Sequence, residues 1–112
     1  MTNKLHILWT NDNKEAFLEM AGLYAYNSKN NAWWDEVNLI VWGPSAKLAA
    51  EDTQIQTELL EMKSIGITLE ACRNCTENYG VTERFEKLGF RVDYMGKDFT
   101  KYLKAGDTVL TI

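Results

Sequence analysis

Two cysteines three positions apart, Cys72 and Cys75, enclose Arg73 and Asn74 and are the chain's only thiols. A thiolate attacks disulfides and sulfane sulfur, and a second thiol at this spacing resolves the product. Cys72 follows the short β-prone run Ile67-Thr68-Leu69-Glu70-Ala71. The pair is therefore expected at the carboxyl end of a strand, where open α/β sheets gather ligands and catalytic groups. If a helix begins directly after Cys72, its free N–H groups and the Arg73 cation would lower the thiol pKa. Cys72 and Cys75 are the candidate catalytic residues, with Arg73 and Asn74 as candidate binding residues beside them. The alternative is that both cysteines are small apolar fillers of a strand-helix junction.

Other constellations are weaker. His6 lies in an apolar run three residues before Trp9, and it can serve as an acid or base only if it reaches the crevice; a hydrogen-bonded structural histidine is the plainer role. Asn11 and Asp12 follow that run at the same rim, where Asn11 is a candidate binding residue, although helix capping accounts for both. Gly43-Pro44-Ser45 closes a second apolar run, and its backbone N–H groups can face an anion, which adds Gly43 and Pro44 to the candidate binding set. The chain contains neither GxxxxGK[ST] nor GxGxxG, so no nucleotide cofactor is implied. One CxxC and His6 fall short of the four ligands of a structural zinc, so no metal site is expected. Trp33-Trp34, in a polar stretch, suits either an interface anchor or the cover of a sheet edge.

The elements that must position these residues are read from hydrophobic spacing. Leu5 to Thr10, Val37 to Trp42, Ile67 to Ala71, Phe90 to Tyr94 and Thr108 to Ile112 predict five strands. Between them, Phe17, Met20, Ala21, Tyr24 and Ala25 recur at helical spacing after the caps Asn11-Asp12-Asn13. Pro44 opens a short helical segment over Ser45 to Ala50. Asp52 or Thr53 caps the next helix, whose buried stripe is expected at Ile55, Leu59 and Met62 and to take in Leu60, and Gly66 ends it. Thr82 caps a helix carrying Val81, Phe85 and Leu88 that Gly89 stops, and residues 96–104 place Phe99, Tyr102 and Leu103 at helical spacing. Strands alternating with helices imply right-handed crossovers and a three-layer α/β fold, a mostly parallel five-stranded sheet with helices on both faces, flavodoxin-like in layout.

With 112 residues, 46% hydrophobic and 25% charged, the chain fits one domain, residues 1–112, with a single core. No repeat, low-complexity tract or linker divides it. A net charge of -4 and a pI near 5.0 argue against nucleic acid or anionic lipid as a partner. The Met1 to His6 segment lacks the apolar core of a signal peptide, and no apolar run is long enough to span a bilayer. A cytoplasmic location is expected, with no membrane partner.

Three segments in order, Val41-Trp42-Gly43-Pro44-Ser45-Ala46-Lys47-Leu48, Glu58-Leu59 through Gly66-Ile67, and Glu70-Ala71-Cys72-Arg73-Asn74-Cys75, together resemble the DsrE/DsrF-like family of sulfur-relay proteins. The resemblance spans most of the chain. Its most specific part is a strand ending in a cysteine, preceded by a helix and a glycine-marked turn and followed by a helix with a small residue near Gly80. It implies a doubly wound α/β fold, assembly into trimers or hexamers, and a cysteine carrying persulfide sulfur between donor and acceptor proteins, at the position of Cys72. Cys75 departs from the single-cysteine pattern of many relatives, which fits a resolving thiol or another use of the site. The expectation is a sulfur carrier, a possible sulfurtransferase, that loads Cys72 as a persulfide with Cys75 assisting and needs no cofactor. Its rivals are a dithiol redox or thiol-sensing protein using the same pair, and a non-catalytic oligomeric ligand-binding module with Trp33 and Trp34 in the subunit interface.

Overall fold

Runs rich in Ile, Leu and Val suit a pleated surface covered on both sides, and they form five strands: β1 (Lys4–Trp9), β2 (Glu36–Val41), β3 (Thr68–Cys72), β4 (Arg91–Asp93) and β5 (Thr108–Thr111). In the computed structural model, which describes residues 3–112, the strands lie in the order β4-β3-β2-β1-β5 and every pair is parallel. Met1 and Thr2, where the segment read as lacking an apolar leader begins, lie outside the described residues. The result is the three-layer, flavodoxin-like arrangement expected from the sequence. No helix among the described residues is long and apolar enough to cross a membrane.

Strand order fixes which face each helix covers. From β1 to β4 the chain steps in one direction, so right-handed crossovers put their helices on one face; the return from β4 to β5 runs the other way and puts its helix on the opposite face. The first group comprises α1 (Lys14–Ala16), α2 (Gly22–Asn30), α3 (Ser45–Glu51), α4 (Thr53–Ser64), α5 (Arg73–Asn78) and α6 (Thr82–Lys87), and the second is α7 (Met95–Lys104) alone. On the many-helix face, Leu5, Ile7, Trp9, Val37, Leu39, Val41, Leu69, Ala71 and Val92 are all buried, and each leucine, isoleucine or valine among them contributes about 1.5–3 kcal/mol when fully covered.

The first helix departs from a regular amphipathic stripe. Between α1 and α2 a π-helical turn, Phe17–Ala21, closes with the Gly22 N–H donating to the Phe17 carbonyl. The wider turn seats the Phe17 ring against Trp9, with ring centroids 4.3 Å apart. A Cβ on Gly22 would come within 2.8 Å of that ring, so the close approach requires glycine. The extra residue breaks the 3.6-residue period, which turns Met20 outward to 44% exposure while Ala21 and Ala25 stay buried.

Elsewhere the helix signals hold with small shifts. The Asp52 carboxylate caps α4 by accepting from the Ile55 N–H at 3.0 Å, and Ile55, Leu59 and Met62 form its buried stripe. Leu60 is 49% exposed, because one residue beyond Leu59 is a rotation of about 100° around the helix. Thr82 does not cap α6: Val81 occupies that position without a side-chain bond, and the Thr82 hydroxyl donates to Thr76 Oγ1 instead.

Candidate functional site

β3 ends in Cys72, which serves as the N-cap residue of α5 in extended backbone geometry. The strand places Cys72 at the carboxyl rim, and the first turn of α5 brings Cys75 back toward it. Both side chains are covered, Cys72 at 3% and Cys75 at 9% exposure, and no disulfide joins them. Cys72 lies near enough to Cys75 to act on its thiol electrostatically.

Gly43 completes the site. It sits at φ +92° just past β2, a conformation L side chains rarely adopt, and a Cβ there would lie 3.4 Å from the Thr10 carbonyl. In this geometry its backbone N–H donates to Cys75 Sγ at 3.2 Å. Burial pushes the Cys75 thiol above its ordinary pKa of 9.0, the Gly43 N–H pulls it back, and Cys72 raises it again. Burial leads the rise because desolvation disfavours the thiolate.

The other candidate binding residues divide. Pro44 is exposed at the head of α3. Asn74 is exposed in the first turn of α5, one residue before Cys75. Arg73 turns toward β4, donating to the Val92 carbonyl at 2.9 Å and lying 3.9 Å from Glu77. Asn11 accepts from the Asn13 N–H at 3.0 Å, and Asn13 in turn caps α1 through the Ala16 N–H. The fold thus brings Gly43 onto Cys75 beside Cys72, commits Arg73 to β4 and keeps Asn11 in a capping turn. Trp33 is exposed near Tyr24, with ring centroids 6.2 Å apart, and the Trp34 indole donates to the Tyr24 hydroxyl at 3.3 Å.

A second polar cluster was not singled out in the sequence. His6, Asn38, Glu70 and Arg91 sit on four adjacent strands and share the face under α7. Asn38 Nδ2 donates to Glu70 Oε1 at 2.6 Å and to His6 Nδ1 at 3.0 Å, while Asn38 Oδ1 accepts from the Thr68 hydroxyl at 2.8 Å. This amide orientation makes His6 Nδ1 an acceptor, so the ring hydrogen lies on Nε2 and is donated to Asp107 Oδ2 at 2.8 Å. Arg91 donates to Glu70 through both Nε and Nη2 and to Asp98 at 2.7 Å. Tyr102 donates to Glu70 Oε1 at 2.7 Å and stacks on His6 at 3.9 Å. Burial, with help from the Glu70 carboxylate, pushes the Tyr102 hydroxyl up to about 12. His6 is therefore a hydrogen-bonded residue of the sheet, away from the thiols. The readable signal was a polar residue recurring in otherwise apolar strands.

These groups floor a cleft of about 880 Å³ toward the amino ends of the strands, which neither cysteine lines. Its polar floor is occupied by mutual hydrogen bonds. Among the described residues no three His, Cys, Asp or Glu side chains are grouped to hold a metal ion.

Neither a family model nor a curated protein matches the chain. Among solved structures, the conserved protein of unknown function BT1422 from Bacteroides thetaiotaomicron is 54% identical, with a TM-score of 0.96 over 98% of this chain and 95% of that one. The ychN protein from E. coli, at 16% identity, superposes with a TM-score of 0.67 over the full length of both chains. The protein of unknown function MTH1491 from Methanobacterium thermoautotrophicum, at 14% identity, gives 0.71 over 97% of this chain and 98% of that one. The two remote matches bear on the fold alone, which is DsrE-like.

Proposed function

The chain belongs to the family of the Bacteroides thetaiotaomicron protein BT1422, and from its thiol site we propose that it is a sulfur carrier that holds sulfane sulfur as a persulfide on Cys72. The observation that carries this reading is the placement of two buried thiols at the carboxyl end of β3, with the Gly43 N–H donating to Cys75 Sγ. In the loading step the Cys72 thiolate attacks the outer sulfur of a donor persulfide. The donor's S–S bond breaks, a Cys72 persulfide forms, and the donor leaves as a thiolate. An acceptor thiolate attacking the outer sulfur returns Cys72 to its starting state without net oxidation.

Cys75 suits the second role. Its raised pKa keeps it a neutral thiol near pH 7, available to hydrogen-bond the loaded sulfur rather than compete as first nucleophile. If Cys75 instead attacks the inner sulfur of the Cys72 persulfide, hydrosulfide leaves and a disulfide forms. No cofactor enters either step. Donor and acceptor proteins would dock on a trimer or hexamer, as the family resemblance implies.

Intact-mass analysis after exposure to a low-molecular-weight persulfide tests the assignment. Wild type is expected to gain one sulfur atom, Cys75→Ser to retain that gain, and Cys72→Ser to lose it; retained loading in Cys72→Ser would overturn it. The placement of both thiols at the start of α5 also supports the dithiol redox reading, which predicts loss of two hydrogens on oxidation, dependent on both cysteines.

A further inference from the structure

We propose that α7 is a latched lid over Cys72, and that the polar cluster beneath it sets how often the thiol is reachable. Side chains alternate along β3, so Thr68, Glu70 and Cys72 project from one face, the face that Tyr102 of α7 meets through Glu70. α7 starts at the carboxyl rim and runs back toward the amino ends of the strands. Its first turn brings Met95, which is fully buried, and Phe99, whose ring meets Trp42 edge-on at 5.6 Å. Trp42 directly follows Val41, the register partner of Ala71, which places this apolar end of α7 beside Cys72.

Phe99 and Tyr102 are half-buried against the core, and the rest of the attachment of α7 is polar. Met95 is its one buried residue, and three bridges tie the helix and the turn after it to the sheet: Asp98 to Arg91, Tyr102 to Glu70 and Asp107 to His6. Elements with little buried apolar area and directional attachments open locally at lower free energy than the core. Tyr102 and Asp107 hold the end of α7 away from Cys72 and Asp98 holds its first turn, so the cluster acts on Cys72 by positioning α7 without touching the thiol.

The inference rests on Cys72 as the reactive thiol, but access is measurable without sulfur chemistry. Native-state alkylation of Cys72 by iodoacetamide, located by peptide mapping, is compared among wild type, Tyr102→Phe, Asp98→Asn and Asp52→Ala. Tyr102→Phe and Asp98→Asn each remove one bridge involving a charged group and are expected to raise the rate about tenfold. Asp52→Ala weakens α4 on the opposite face and is expected to leave the rate unchanged. Should Tyr102→Phe fail to fold, as judged by circular dichroism, Asp98→Asn alone carries the test. Unchanged alkylation in the folded bridge variants, or equal acceleration in Asp52→Ala, would overturn the lid. Loss of persulfide loading with intact gating would instead overturn the sulfur-carrier reading.

Discussion

The two faces of the sheet are held by different physics. Under α2, α4 and α6 the strands offer an apolar surface, and Leu59, Met62 and Phe85 press onto it with no exposed area to speak of. Under α7 the corresponding positions are His6, Asn38, Glu70 and Arg91, joined by hydrogen bonds across four strands. Burial of apolar area is non-directional and tolerates small shifts. A charged hydrogen-bonded ladder is directional, answers to pH, and is costly when one member is lost. The many-helix face therefore supplies the bulk of stability, and the single-helix face is the one positioned to move.

Mutations can sharpen or break that division. Leu59→Ala on the apolar side is expected to cost about 2–5 kcal/mol, because it removes a fully buried side chain and leaves a cavity. Urea unfolding measures it, and a cost below that of any change in the ladder would invert the comparison. Glu70→Gln removes the charge that gathers Asn38, Tyr102 and Arg91, and the expected cost is about 1.5–3 kcal/mol. Hydrogen exchange should then rise first in α7 rather than in α4; uniform acceleration would argue against a separate outer layer.

Tyr102 gives the ladder an alkaline limit. Its folded pKa is raised, from 10.0 to about 12, so its contribution is fully present below the unfolded value and is lost as pH rises through that window. The stability difference between wild type and Tyr102→Phe should accordingly shrink between about pH 9 and pH 12, and a constant difference across that range would remove Tyr102 from the account. The smallest effect is expected at Leu60→Ala, within about 0.5 kcal/mol, since that side chain already faces solvent. Measured beside Leu59→Ala, it calibrates how much of a leucine's effect in α4 comes from the face it occupies.

Much of this architecture was legible in the amino-acid order. Apolar runs and glycine stops located all five strands, and the Ile55, Leu59 and Met62 spacing gave the buried stripe of α4. Cys72 was placed at a strand's carboxyl end because Ile67 to Ala71 can be little else. These features are local: they depend on a side chain's own period and its near neighbours.

What tertiary structure alone decided involves residues distant in the chain. Gly43 and Cys75 are 32 positions apart, and only the pairing of β2 with β3 brings the Gly43 N–H to Cys75 Sγ. Burial in the assembled core raises the Cys75 thiol, which its neighbours in the chain could not foretell. The ladder from Asp107 through His6, Asn38 and Glu70 to Arg91 needs strand order and register, because a one-residue slip would send each side chain to the opposite face. The residues and their local elements were thus written in the sequence, whereas the crossover to β5 left one face to α7 alone and gave Cys72 its cover.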